Sequence, residues 1–132
     1  MTKHKICKFV LLRINEIEGR LAFFKLEING RCAFDDFILE CRHSGGLESE
    51  LIKIQAIMQQ VSDLKTLPIE KYKDITPTND LIKEYEIKTR HLRIYMFHER
   101  LSGRVIVLGG KKTSQKKDIV QFRAIKKNFL NH

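Results

Sequence analysis

The chain reads as a single α+β domain, an antiparallel β-sheet with helices packed on one face and a C-terminal helix. Three observations predict this. Runs rich in β-branched and aromatic residues recur with only short gaps between them, which makes neighbouring antiparallel strands. Three other stretches carry apolar residues at helical spacing. No low-complexity tract, internal repeat or linker interrupts the 132 residues, a length that can bury a core of its own.

Taken in order, "ICKFVLLRI" from Ile6 to Ile14 and "LAFFKLEI" from Leu21 to Ile28 predict a hairpin closed by "NEIEGR". "NGR" at 29–31 supplies a turn, and "AFDDFILEC" forms a short helix with Phe34, Phe37, Ile38 and Cys41 on one side. After "HSGG", Leu47, Leu51, Ile54, Met58 and Val61 fall at alternating gaps of four and three, one stripe of a longer helix that Pro68 closes. "IEKYKDITPTND" reads as an irregular connector anchored by Tyr72 and Ile75. "LIKEYEIK" (81–88), "HLRIYMFH" (91–98) and "RVIVLG" (104–109) are strands, the last apolar throughout as a strand covered on both faces would be. A final helix from Ser114 to Leu130 presents Ile119, Phe122, Ile125, Phe129 and Leu130 to the core.

Three cysteines without a C-x-x-C pair indicate buried thiols in a reducing compartment. The apolar run "FVLL" is far shorter than a signal-peptide core or a membrane span, so the expected location is the cytoplasm. Residues 1–78 hold 12 Lys and Arg against 11 Asp and Glu, whereas residues 79–132 hold 13 against 5; the net charge of +9 divides as +1 and +8. A field this one-sided suits a polyanion such as nucleic acid, and equally an anionic membrane or an acidic protein.

Strand alternation sets Arg93, Tyr95 and Phe97 opposite Leu92, Ile94 and Met96, and Glu84, Glu86 and Lys88 opposite Tyr85 and Ile87. Lys88 and Arg93 then lie near one another, two like charges that repel unless an anion joins them. Gly109 and Gly110 can adopt positive φ and let the backbone approach a ligand closely, with lysines around the N–H groups that open the last helix. The "GGKK" segment is no nucleotide-binding P-loop. No Cys/His set has metal-ligand spacing, so neither metal nor cofactor is expected. His91 and His98 bracket the middle strand, where His91 can exchange a proton near neutral pH.

Taken together and in order, "FFKLEINGRCAFDDFILEC", a helix ending in "LKTLP", "IKEYEIKTRHLRIYMF" and "RVIVLGGKKTSQKKDI" resemble the RelE/HigB group of type II toxin–antitoxin toxins, within the RelE/ParE superfamily and especially its phage-derived branch. The resemblance spans roughly residues 22–130 and makes 1–20 a strand extension on the usual core. It implies a ribosome-dependent mRNA endoribonuclease that uses no metal, in which the ribose 2′-OH attacks the adjacent phosphate. It also implies a cognate antitoxin, with a helix-turn-helix domain and an acidic segment to cover the basic region, and no membrane partner. By position, Arg93 matches the arginine of the family's Tyr-Arg strand motif and is the first candidate for stabilising the scissile phosphate, and Lys88 stands where an arginine is usual, keeping charge without the bidentate grip. Lys112 completes the cations, and His91 is the candidate proton carrier; Arg90, Lys111, Gln115, Lys116 and Lys117 are expected to touch RNA. The chain departs from the branch in lacking its His and Phe after "VLGG" and a tyrosine at the start of the last helix. Two alternatives share the fold: a ParE-like gyrase poison and a nucleic-acid-binding relative without catalysis.

Overall fold

The computed structural model describes residues 7–101 and 103–132. It is an α+β fold: a seven-stranded mixed sheet and three helices, the last of them C-terminal. The opening hairpin pairs β1 (Phe9–Arg13) with β2 (Phe23–Ile28); Ile6, the first residue of that expected strand, lies outside the described residues. Asn29 and Gly30 both take positive φ, the conformation of a tight hairpin turn, and return the chain into β3 (Arg31–Cys32). The first helix, α1 (Ala33–Ser44), buries Phe34, Phe37 and Cys41 and stops at Gly45. The second, α2 (Glu48–Ser62), ends six residues before Pro68, and Leu64, with a positive φ of 60°, carries the chain off the helical path. Within the expected connector, Tyr72–Asp74 forms a short edge strand, β4.

The order across the sheet is β1-β2-β7-β6-β5-β4, with β5 (Glu84–Lys88), β6 (Leu92–Glu99) and β7 (Gly103–Lys111) as the expected antiparallel run. One pair departs from the expected antiparallel pattern: β2 lies parallel to β7 through Phe23↔Arg104, Phe24↔Val105 and Lys25↔Ile106. The pairing joins the opening hairpin to the C-terminal strands without a turn between them, a contact that local patterning does not encode.

Helices α1 and α2 pack on one face, over a core that includes Leu92, Ile94, Met96, Ile87 and Ile106. The opposite face is not open along its length, as an uncovered working surface would be. Helix α3 (Gln115–Leu130) lies there over Tyr95, Phe97, Val105 and Leu108, with Phe122 fully buried. The cause is the helix's apolar stripe of Ile119, Phe122, Ile125 and Phe129, which has to be buried somewhere. Leu130 was expected on that stripe but is 44% exposed.

A bulge lets β7 serve both cores. Tyr95 pairs with Leu108 but Met96 pairs with Ile106, leaving Val107 as the extra residue. Val107 and Leu108 therefore both belong to the α3-side core, and the alternation restarts with its phase reversed. Gly109 comes to face α1 and Gly110 to face α3. A Cβ on Gly109 would sit 2.4 Å from the Phe37 ring, and one on Gly110 would collide with the Asp118 carboxylate. Neither glycine takes the positive φ that is open to it. Their missing side chains admit two helices to the strand.

Candidate functional site

The candidate residues gather at one end of the sheet because three strands end or begin there. Lys88 is the last residue of β5, Arg90 and His91 form the turn, Arg93 is the second residue of β6, and Lys111 ends β7. Backbone register places Lys88 beside Arg93 and Arg93 beside Gly110, and Leu92 pairs with Lys111. A 3-10 turn at Lys112–Ser114 leads directly into α3, and the Lys112 N–H donates to the His91 carbonyl at 2.8 Å. Gln115, Lys116 and Lys117 open the helix.

The side chains then divide. Lys111, Lys112, Lys116 and Lys117 are exposed, as are Arg90 and His91, whereas Lys88 is half-buried. Arg93 is only 6% exposed, and its Nη1 donates to the carbonyls of Thr89 at 2.6 Å and Leu92 at 2.8 Å. Its Nε is buried with no partner, and so is the Tyr95 hydroxyl two residues along the same face. Burial pushes the Tyr95 phenol well above its usual range, with the Glu86 and Asp118 carboxylates adding to the effect. Gln115 donates to Glu86 at 2.8 Å, and Ser114 Oγ donates to Asp118 at 2.6 Å and to the Lys111 carbonyl at 3.1 Å. The start of α3 is thus tied to the sheet by polar contacts on the Arg93 face.

Lys111 borders a cavity of about 310 Å³ between the end of α1 and the start of α3, lined also by Phe37, Cys41, Ser44, Thr113 and Asp118. Neither Arg93 nor His91 lines it.

His91 belongs to a different arrangement, on the α2 side. Its Nδ1 lies 2.7 Å from Glu50 Oε2, so the ring donates to the carboxylate and turns its second nitrogen away from that bond. Glu50 Oε1 accepts from the Thr89 hydroxyl at 2.5 Å and from the His91 N–H at 2.7 Å. The Glu50 side chain is 7% exposed while that of His91 is 59% exposed, so a buried carboxylate holds an accessible imidazole. Burial alone would raise the Glu50 carboxyl. The hydrogen bonds from Thr89 and from the His91 backbone and ring outweigh burial and bring it down to about 2. A carboxylate that is ionised at neutral pH behind a histidine is the arrangement that fixes the ring's tautomer and orientation.

Glu50 was not anticipated from the sequence, although a signal exists. Glu50, Ile54, Ile57 and Val61 follow helical spacing, and all four are buried. An acid on the buried stripe of a helix asks for a partner from across the core. Among the described residues no group of three His, Cys, Asp or Glu is arranged to hold a metal ion, and no helix is long and apolar enough to cross a membrane. Compared with protein-family models, curated proteins and solved structures, the chain matches none.

Proposed function

We propose that this chain is the toxin of a type II toxin–antitoxin system, a metal-free endoribonuclease that cuts mRNA on the ribosome and is silenced by a cognate antitoxin. The observation that carries the reading is the Glu50–His91 pair, at the end of the sheet where the exposed lysines of the β7–α3 segment also lie. The imidazole is oriented by a buried carboxylate in the turn it shares with Arg90, between the strand ends that carry Lys88 and Lys111, and the Lys112 backbone N–H donates to the His91 carbonyl. Cleavage by an internal 2′-OH needs a base for that proton and positive charge around a phosphorus centre gaining charge. In this reading His91 takes the 2′ proton and the freed oxygen attacks phosphorus. The 5′ oxygen leaves with a proton supplied by a neighbouring ammonium or by water. Lys88 and Lys112 bear on the phosphate, and Arg90, Lys111, Lys116 and Lys117 track the strand.

The test is expression in bacteria with mapping of 5′ transcript ends. Wild type is expected to arrest growth and cut translated messages. His91→Ala should lower cleavage by about 10²–10⁴-fold, the usual worth of a positioned base, and Lys88→Ala should weaken it with the fold intact. Unchanged growth and intact transcripts for wild type, matching an Arg93→Ala control, would sink the proposal. A second reading, nucleic-acid binding without cleavage, is favoured by one observation: the Arg93 Nη1 is engaged by backbone carbonyls. In that case purified protein binds RNA but leaves messages whole. A DNA-damage response with intact mRNA would instead point to a gyrase poison.

A further inference from the structure

The pairing of β1 with β2 determines which of its backbone groups are free. Ile14 N–H donates to the Phe23 carbonyl and Asn29 N–H to the Lys8 carbonyl, both at 2.9 Å, in register with Phe9↔Ile28 through Arg13↔Phe24. Alternate residues of an antiparallel ladder point to the partner. Positions 8, 10, 12 and 14 therefore turn toward β2, and Phe9, Leu11 and Arg13 direct three N–H and three C=O groups outward. Among the described residues no strand pairs with that edge.

The two edges of the sheet are treated differently. At the far edge β4 has three residues, two of them the exposed Lys73 and Asp74, which are common guards against further pairing. β1 has five residues, "FVLLR", with no proline, no bulge and no charge before Arg13. Phe9 and Leu11 pack into the α3-side core, Phe9 edge-on to Phe129. Val10 and Leu12 point to the other face, opposite Glu27 and Lys25, and are half-buried.

We propose that this edge is a self-association surface, on which a second copy of the chain adds its own β1 antiparallel about a two-fold axis at Leu11. In that register Phe9 opposes Arg13 of the second copy, Leu11 opposes Leu11, and Val10 opposes Leu12. Every outward N–H and C=O of both strands is then satisfied. The apolar side chains meet apolar side chains, Arg13 extends across an aromatic ring, and Lys8 meets Ile14, so no like charges are placed opposite one another. The shared sheet runs through the dimer. Each chain carries +9, so the two copies repel at long range and added salt strengthens the dimer by screening them. Association bridged by nucleic acid has the reverse salt dependence.

Sedimentation equilibrium of nuclease-treated full-length protein tests the proposal. The apparent mass is expected to rise with concentration from that of one chain toward two, and further as salt increases from about 0.05 to 0.5 M. Arg13→Pro removes an outward N–H where an edge strand tolerates proline. Val10→Lys places a charge at the seam while pairing with Glu27 inside its own chain. Each variant should keep the wild-type circular dichroism and melting temperature and remain a monomer. A wild-type mass of one chain at all concentrations would overturn the proposal. So would a dimer that both folded variants retain, or one that salt dissolves.

Discussion

Glu50 is a buried acid whose ionised form is held by three hydrogen-bond donors, and that fixes how stability responds to pH. Its carboxyl sits at about 2 in the folded protein against 4.5 ordinarily, so the folded state binds its proton less readily than the unfolded chain. The stabilisation, about 3 kcal/mol, is fully present above pH 4.5 and is lost as pH falls toward 2. Urea midpoints measured across that window should fall steeply for wild type. They should fall less for Glu50→Gln, which is less stable at neutral pH but has no proton to gain. Equal slopes would show that the carboxylate is not held as the geometry implies. The place of His91 in the turn was legible from the sequence, whereas Glu50 behind it was not. A glutamate on a helix ordinarily reads as solvated, and the partner that makes it otherwise lies 41 residues away. Arg93 shows the converse: its position on the face was legible, and its burial under the start of α3 was not.

At the level of elements, helix α3 is fastened by charge as well as by its apolar stripe. Lys126, 3% exposed, donates to Glu84 at 2.8 Å, to Asp80 at 2.9 Å and to the Ile82 carbonyl at 2.8 Å, while Arg123 reaches Glu84 at 3.0 Å. Removing one partner of such a pair strands the other. Lys126→Ala should therefore cost about 3–5 kcal/mol, whereas Lys126→Met combined with Glu84→Met should restore most of it. Thermal unfolding of the two variants distinguishes a fastening from an incidental contact. The strand runs and the three helices could be read from period alone, because each has an apolar pattern of its own. The parallel β2–β7 pair and the edge strand β4 could not: the first depends on which strands meet, and the second is three residues long with two of them charged. Lys126 was likewise hidden, since a lysine in a helix turn marks no face until its acids are in place.

For the molecule as a whole, the division of charge into +1 and +8 acquires a location. The basic segment folds back on the sheet so that the ends of β5 and β7, the β5–β6 turn and the opening of α3 share one end. Several of the 13 Lys and Arg beyond residue 78 are internally paired, among them Lys126 and Arg123. The charge available to a polyanion is therefore smaller than the formal sum. Lys111, Lys112, Lys116 and Lys117 are the exposed remainder around the helix start. For RNA binding measured against salt, Lys111→Ala and Lys112→Ala should each reduce the log–log slope by about 1 if each neutralises one phosphate. An unchanged slope would place the RNA elsewhere.

The bulge at Val107 means that β7 changes its reading frame partway along. Upstream of it, odd-numbered side chains address α3; downstream, even-numbered ones do. Substitutions along this strand are judged one position at a time, and a loss of one residue can be taken up at the bulge itself. Losing Val107 would merge the two frames, because Ile106 and Leu108 already pair with the adjacent Met96 and Tyr95, and Gly109 and Gly110 would keep Ile94 and Arg93 as partners. Just downstream of Val107 it is the letters that are fixed: a side chain at Gly109 would meet the Phe37 ring and one at Gly110 the Asp118 carboxylate.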